Sequence, residues 1–185
     1  MDKAAYKSQK DQIQADYKPG WPAWLAAGGV LVIANLRGGG EYGSDWHEAG
    51  RLKNKQNGYA DLYAVAEALV ARGITTTDRL AVTGGSNGGL MSGVAVTQRP
   101  DLWRAVVPRV PLLDIVGACR ENYGRFAVNI EFGDVDDPDE VRRMLGFSPY
   151  HLVTDRAYPA VFLDAGDTDP RCSPWHARKL GALMQ

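Results

Sequence analysis

A glycine-flanked serine constrains this chain of 185 residues more than any other feature. It is Ser86, in residues 84–89 (GGSNGG), and it follows residues 80–83 (LAVT), an apolar run typical of a buried strand. Residues 88–99 then have the apolar spacing of a helix, which Pro100 would end. The sequence therefore predicts a strand, a sharp turn and a helix, with the hydroxyl of Ser86 at the apex of the turn.

This succession of strand, turn and helix is typical of the nucleophile elbow of an α/β-hydrolase, in which a serine stands exposed at the top of the sheet. We expect Gly84 and Gly88 to be required, because the turn is so sharp that side chains there would collide with the neighbouring strand and helix. The plainer interpretation is a serine that only ends the turn. The paired glycines on both sides favour Ser86 as the nucleophile.

The rest of the chain alternates short apolar runs with amphipathic segments, as βαβ units do. A helix over residues 61–72 would begin with Asp61 as its N-cap and end at Gly73 as its C-terminal cap. We therefore predict an α/β fold whose mostly parallel sheet is flanked by helices on both faces. The other predicted elements are strands over residues 30–35, 80–83, 105–110 and 160–164, a helix over residues 174–184, and an exposed acidic turn over residues 134–140 that leads into a short helix.

Charge and hydropathy argue against two broad classes of protein. The formal net charge of −1 provides no clustered basic face for nucleic acid. The longest apolar stretch, residues 26–36, is far shorter than the roughly 20 residues that cross a bilayer. Residues 1–10 are too polar for a signal peptide, so a cytoplasmic setting is expected. Cys119 and Cys172 have neither metal-site spacing nor a C-x-x-C pattern, which predicts reduced, structural cysteines.

Residues 38–43 formally match the dinucleotide-binding pattern G-x-G-x-x-G. Asp61 even lies near the distance expected for an acid that binds ribose. Only six residues separate Gly43 from Gly50, however, which leaves no room for the long helix that must face a pyrophosphate. Nucleotide binding is therefore the weaker interpretation of this segment.

A serine hydroxyl is a weak nucleophile at neutral pH and needs an adjacent base. In an α/β-hydrolase the serine is followed along the chain by an acid and then by a histidine. The acid candidates Asp164, Asp167 and Asp169 are followed by a single histidine, His176. Because the base should come from a later loop, we interpret His176 as a packing or surface residue, and the two earlier histidines in the same way.

Four motifs occur in order along the chain, in residues 35–43, 54–57, 84–89 with 98–102, and 147–150. Together they resemble the catalytic domain of the prolyl oligopeptidase family of serine peptidases, from about residue 24 to the last predicted helix. The resemblance implies a partial α/β-hydrolase peptidase domain over residues 21–185, incomplete at both ends, after a poorly matched segment, residues 1–20. It also implies hydrolysis of peptide bonds in short peptides, with no metal or organic cofactor.

The resemblance implies roles for four residues. Ser86 would be the nucleophile, and the backbone N–H of Asn87 would contribute to the oxyanion hole. Asp169 would be the triad acid, because it stands two residues before Arg171 in a D-x-R arrangement like that of the family. Arg171 would bind a backbone carbonyl of the substrate. The expected chemistry is acyl transfer to the serine followed by hydrolysis of the acyl-enzyme.

The sequence departs from the family pattern in three respects. The family's histidine lies well beyond the acid, in a segment that would follow Gln185, so we expect this chain alone to be inactive. Tyr6 stands near the place of an oxyanion-hole tyrosine, but the glycines that should follow it are missing, and it is assigned no role. The proline-stacking tryptophan and a neighbouring tyrosine of the family correspond to Val128 and Phe132, so proline specificity is not predicted.

Substrate preference and alternatives follow from the same region. Glu121 lies in the segment that shapes the pocket on the acyl side and would favour a basic side chain. The propeller domain with which the family filters substrates by size has no counterpart in these residues. Two alternatives are an esterase or other α/β-hydrolase, and a non-catalytic truncated product that binds a partner through an uncovered sheet surface.

Overall fold

The computed structural model describes residues 20–185. The predicted N-terminal segment, residues 1–20, lies outside this range apart from Gly20, and so does Tyr6. The helices are α1 (Gly20–Ala26), α2 (Ser44–Glu48), α3 (Lys55–Ala71), α4 (Asn87–Gln98), α5 (Ile115–Ala118), α6 (Asn122–Glu131), α7 (Pro138–Leu145), α8 (Pro149–Leu152) and α9 (Trp175–Leu183). The strands are β1 (Ala81–Gly85), β2 (Ala105–Arg109) and β3 (Ala160–Val161), and short 3₁₀ turns occur at Leu52–Asn54, Thr77–Arg79 and Pro100–Leu102.

The three strands form a parallel sheet in the order β1-β2-β3. Ala105 sets the register, since it lies opposite Ala81 on β1 and opposite Ala160 on β3. Beyond the end of β3, a parallel bridge joins Arg109 to Asp164. Three predicted strands are therefore confirmed as parallel neighbours, although their ends differ from the predicted ones, most of all in β3.

Helix α4 covers one face of the sheet and contributes the centre of the core. Leu90 and Val94 on this helix are fully buried, as is Val106 on β2. Helix α4 contacts both β1 and β2, and α3 packs against it, with the ring of Tyr59 buried in the same core cluster. Burial of one aliphatic side chain stabilises the fold by roughly 1.5–3 kcal/mol, so this layer holds the turn between β1 and α4 firmly in place.

The second face of the sheet is open in the part of the chain that the structure describes. Ala81 and Thr83 on β1 are exposed, and Phe162, just after β3, is 68% exposed. The parallel sheet with packed helices is confirmed, and within residues 20–185 no helix covers these exposed side chains. Right-handed crossovers that advance in one direction, from β1 to β2 to β3, place all their helices on the same face.

Residues 30–35 do not form the predicted strand. They have no ladder partner within residues 20–185, and Val30, Val32 and Ile33 are 63%, 45% and 46% exposed. A strand is stabilised by hydrogen bonds to a neighbouring strand, which an apolar run alone does not provide. Residues 30–35 therefore have the composition of a strand, but the prediction that they form one is wrong.

Helix α3 begins at Lys55, well before the predicted start at Asp61. The prediction of Asp61 as an N-cap is wrong, because its carboxylate binds Arg37 instead. The Nε and Nη2 atoms of Arg37 donate to Oδ2 and Oδ1 of Asp61 at 2.8 and 2.5 Å. This bidentate pair anchors the glycine-rich loop to α3. Since α2, the helix after that loop, has only five residues, the loop lacks the long helix of a dinucleotide site.

Smaller predictions about helix ends are confirmed. Gly73 ends α3 with φ 68°, and its N–H donates to Val70 O at 2.9 Å. In the exposed acidic turn, the side chain of Asp137 accepts from Asp139 N–H at 2.8 Å and caps α7. Among residues 20–185, no helix combines the length and apolar character needed to span a bilayer.

Candidate active site

Ser86 stands where β1 turns sharply into α4. Its backbone has φ 56° and ψ −117°, a sparsely populated conformation for a residue with a side chain. The N–H of Ser86 donates to Arg109 O at 3.0 Å, and its side chain is exposed. A strained serine held between strand and helix with its hydroxyl open to solvent has the geometry of a nucleophile elbow.

Close backbone contacts explain two of the glycines around this turn. A Cβ on Gly84 would lie 2.4 Å from Gly88 O, and a Cβ on Gly89 would lie 2.5 Å from Arg109 O. A Cβ on Gly88 would have no neighbour within 4 Å. The steric prediction is confirmed for Gly84 and wrong for Gly88, because the close approach to the next strand occurs one residue later, at Gly89.

Asn87 is the first residue of α4, so its N–H has no acceptor within the helix. The aligned peptide dipoles also place positive potential at this end of the helix. A free N–H beside the predicted nucleophile is the arrangement from which an oxyanion hole is built.

The side chain of Asn87 takes part in a network that the sequence did not predict. Its Nδ2 donates to Glu131 Oε1 at 3.1 Å, and Lys55 Nζ donates to the same oxygen at 2.5 Å. Lys55 is buried, and this burial lowers the pKa of its ammonium, although the contact with Glu131 opposes the shift. An ion pair from two distant helices therefore lies next to the serine turn.

Asp169 lies on the loop that approaches Ser86 from β3. Its Oδ1 accepts from the N–H groups of Cys172 at 3.0 Å and Arg171 at 2.8 Å, and these bonds lower the pKa of the carboxyl. The Sγ of Cys172 lies 3.8 Å from the Oγ of Ser86. The structure thus brings the loop of the predicted acid into contact with the predicted nucleophile through the cysteine side chain.

The other two acid candidates are engaged in ion pairs. Arg109 Nε donates to Asp164 Oδ2 at 3.0 Å, and Arg178 Nη2 donates to Asp167 Oδ1 at 2.6 Å. Asp169 forms no ion pair with any residue in the range 20–185. Of the three carboxylates, it has the most freedom to bind an imidazole.

Arg171 follows on the same loop and is exposed. Its backbone N–H binds Asp169, while its guanidinium forms no ion pair within the described part of the chain. The guanidinium is therefore accessible from solution, and its binding of a carbonyl oxygen stays a prediction.

The three histidines of the chain have ring nitrogens engaged away from Ser86. His176 is 1% exposed, and its Nδ1 accepts from Asp114 N–H at 3.2 Å. Burial lowers the pKa of His176 to about 4, which keeps the ring neutral at physiological pH. The Nδ1 of His47 contacts Gly38 O at 2.8 Å, and that of His151 contacts a serine hydroxyl at 2.9 Å. The interpretation of His176 as a packing residue agrees with this environment.

The residues considered for substrate preference are mostly occupied within the protein. Both carboxylate oxygens of Glu121 accept from Ser173 Oγ at 2.9 Å, and one accepts from Trp175 Nε1 at 2.8 Å. Val128 and Phe132 are buried in the core.

Among residues 20–185, no three His, Cys, Asp or Glu side chains cluster closely enough to hold a metal ion.

Sequence reasoning missed Lys55, Glu131 and the position of Cys172. Lys55 belongs to one of the four motifs, residues 54–57, but its partner lies 76 residues further along the chain. Such a pairing leaves no local signal. The unusual feature that remains visible in the sequence is a lysine among the apolar positions that α3 buries.

Comparison with known proteins identifies the family of the chain. The sequence profile of the prolyl oligopeptidase family matches residues 18–185. The uncharacterized peptidase y4nA of Sinorhizobium fredii is 48% identical over 163 residues, which are 88% of this chain and 22% of that protein. The prolyl endopeptidase of Dictyostelium discoideum is 42% identical over 159 residues, which are 85% of this chain and 21% of that protein. The chain spans little more than a fifth of the length of these relatives.

Solved structures give the same result. A structure from a mechanistic analysis of two prolyl endopeptidases matches with a TM-score of 0.87 and 41% identity, over 90% of this chain and 25% of that chain. A post-proline cleaving enzyme from Rickettsia typhi matches with a TM-score of 0.86 and 34% identity, over 91% of this chain and 24% of that chain. These matches confirm the α/β-hydrolase fold. Because the family profile covers all of the described residues, the chain belongs to the prolyl oligopeptidase family of serine peptidases.

Proposed function

We propose that this chain carries the nucleophile and the acid of a serine peptidase that hydrolyses peptide bonds in short peptides. The single observation that carries the proposal is the strained, exposed Ser86 at the N-terminus of α4, in contact with the loop of Asp169 through Cys172. The family and the names of the relatives support peptidase chemistry.

The proposed reaction begins with attack of Ser86 Oγ on the carbonyl carbon of the substrate. The hydroxyl proton passes to an imidazole, the serine forms an acyl bond, and the amine leaves with that proton. Water then attacks the acyl-enzyme and releases the acid. The N–H of Asn87 stabilises the oxyanion of both tetrahedral intermediates, a type of contact that typically lowers the barrier by about 3 kcal/mol.

Asp169 would hold the imidazole in its productive tautomer and stabilise its cationic form. Its lowered pKa supports this role, because the carboxyl stays ionised at neutral pH. The three histidines of the chain are bound elsewhere, so the imidazole has to come from outside these 185 residues. We therefore expect this chain alone to have little or no activity.

Arg171 supplies substrate binding in this proposal. Its exposed guanidinium stands two residues after Asp169 and would donate to a backbone carbonyl of the peptide. Proline specificity is not part of the proposal, because Val128 and Phe132 are packed in the core instead of facing the serine turn from an open pocket.

The experiment compares hydrolysis of a short peptide p-nitroanilide and a matched p-nitrophenyl ester, with and without free imidazole in the buffer. The proposal predicts turnover of both substrates above the rate that imidazole gives without protein, and loss of this excess in Ser86→Ala. It also predicts a large decrease in Asp169→Asn, which keeps an acceptor for the two backbone N–H groups. Turnover above that imidazole rate in Ser86→Ala would contradict the proposal, and excess turnover of the ester alone would favour an esterase.

A further inference from the structure

A buried ion pair between Lys55 and Glu131 lies beside the serine turn. The two side chains are 6% and 21% exposed, and Lys55 Nζ donates to Glu131 Oε1 at 2.5 Å. The ammonium also lies 5.0 Å from the centre of the Phe132 ring, which shields it from solvent. Burying two charges costs desolvation energy that well-packed apolar residues of similar volume would avoid. The pair is therefore a weak explanation for stability alone.

One carboxylate oxygen links this pair to the residue after the nucleophile. Glu131 Oε1 accepts from both Lys55 Nζ and Asn87 Nδ2. Lys55 begins α3, Asn87 begins α4, and Glu131 ends α6. Three helices that are far apart in the sequence thus meet at the first turn of α4, where the backbone N–H of Asn87 is available for an oxyanion.

We propose that Lys55 and Glu131 are positioning residues for the oxyanion-hole donor, an inference that rests on the function proposed above. Glu131 holds the side chain of Asn87 and so restricts the rotation of the first peptide units of α4. An oxyanion-hole donor acts only when it is within about 2.7–3.1 Å of the developing charge. A small change in the direction of that N–H therefore affects the rate.

The charge of Lys55 has a separate effect. A lone carboxylate at Glu131 would repel the negative charge that develops on the substrate, and such repulsion is strong at low effective dielectric. Lys55 neutralises this carboxylate while leaving its oxygen available to Asn87. Loss of the lysine alone leaves the repulsion in place, whereas loss of both charges removes it. This difference separates the proposed role from simple packing.

The test measures the rate at which a fluorophosphonate probe reacts with Ser86 in the 185-residue chain, in buffer with free imidazole and well below each variant's melting temperature. The variants are Lys55→Met, Lys55→Arg and the double variant Lys55→Met with Glu131→Gln. The matched control is Glu67→Gln. It removes the carboxylate of a different ion pair, which Glu67 forms with Arg99 just after the C-terminal end of α4. The maximal reaction rate and the half-saturating probe concentration are determined separately.

We expect Lys55→Met to lower the maximal rate on the order of tenfold with little change in half-saturation, since the donor is displaced and the repulsion remains. Lys55→Arg keeps most of the rate because it keeps the charge, and the double variant regains much of what Lys55→Met loses. The control Glu67→Gln reacts like the parent chain. A second measurement, the amide ¹⁵N and ¹H shifts of Asn87, should change in Lys55→Met and return in Lys55→Arg.

Two outcomes would overturn the inference. In the first, the probe reacts with Ser86 in the parent chain, and Lys55→Met has the same maximal rate and unchanged Asn87 shifts. The second is a double variant no faster than Lys55→Met, which would show that charge is not the cause. If Lys55→Met does not fold, Lys55→Arg decides, since a maximal rate lowered on the order of tenfold or changed Asn87 shifts in that variant would overturn the inference. Absence of reaction at Ser86 in the parent chain would overturn the proposed function, and this inference with it.

Discussion

The hydroxyl oxygen of Ser86 lies 3.8 Å from the thiol sulfur of Cys172. The backbone N–H of Cys172 in turn donates to Asp169 Oδ1 at 3.0 Å. The loop of the proposed acid therefore meets the proposed nucleophile through one buried side chain. Burial raises the pKa of the Cys172 thiol, so it stays protonated at neutral pH and is a poor competing nucleophile.

Enlarging the side chain at position 172 should block access to the serine. We predict that Cys172→Phe prevents reaction of Ser86 with a fluorophosphonate, because a contact of 3.8 Å leaves no room for a ring. Cys172→Ala removes the contact without adding bulk and should react at least as fast as the parent chain. The measurement is probe incorporation by intact-mass spectrometry. Equal incorporation in both variants would show that position 172 does not border the serine.

The glycines of the turn should differ in their tolerance of a methyl group. Gly84→Ala and Gly89→Ala each force a Cβ to within 2.4–2.5 Å of a carbonyl oxygen and should lower the free energy of unfolding by about 2 kcal/mol. Gly88→Ala meets open space and gains helix propensity, so it should be neutral or about 0.5 kcal/mol more stable. Urea unfolding followed by circular dichroism compares the three. A loss at Gly88 equal to that at Gly84 would contradict the geometry.

The strained backbone of Ser86 should lower the free energy of unfolding, and substitution by glycine should recover part of that loss. A residue with a side chain at φ 56° and ψ −117° is disfavoured, and glycine relieves this strain while adding entropy to the unfolded chain. We predict that Ser86→Gly increases the free energy of unfolding by about 1 kcal/mol relative to Ser86→Ala, which keeps the Cβ. The two variants are compared by urea unfolding. If Ser86→Gly is the less stable one, the turn is not strained.

His176 should make the fold sensitive to mild acid. Its pKa is about 4 in the folded chain, against 6.5 for an unperturbed histidine, so between these values the unfolded chain binds a proton that the folded chain does not. Stability present above pH 6.5 is therefore lost as the pH falls towards 4, by about 3 kcal/mol in total.

The check is the difference in unfolding free energy between about pH 7.5 and about pH 4.5 in the parent chain and in His176→Asn. Asparagine can still accept from Asp114 N–H but does not titrate in this range. The variant should lose most of the pH dependence. If the unfolding free energy of His176→Asn depends on pH as strongly as that of the parent chain, groups other than His176 cause the dependence.

The sequence predicted the turn at Ser86 well because its determinants are local. The apolar run, the glycines and the helix that follows occupy about twenty consecutive residues, and each restricts the backbone of its neighbours. The α/β fold that these residues indicate has a parallel sheet, and the observed sheet is parallel in the order β1-β2-β3.

Features that depend on residues distant along the chain could not be predicted from the sequence. Asp61 has the residue type of an N-cap, but Arg37, 24 residues away, binds it. Residues 30–35 have the composition of a strand without a neighbour to pair with among residues 20–185. Gly88 and Gly89 are both glycines of the same turn, and the sequence does not say which of them lies against the backbone of β2. The structure shows that it is Gly89.

The most direct test of the account is the site at which a fluorophosphonate probe reacts. The 185-residue chain is incubated with the probe in the presence of free imidazole, and the modified peptide is identified by mass spectrometry. The account predicts a single adduct on Ser86 that is absent in Ser86→Ala and much reduced without imidazole. An adduct on another residue, or none on Ser86 in a folded chain, would contradict the assignment of Ser86 as the nucleophile.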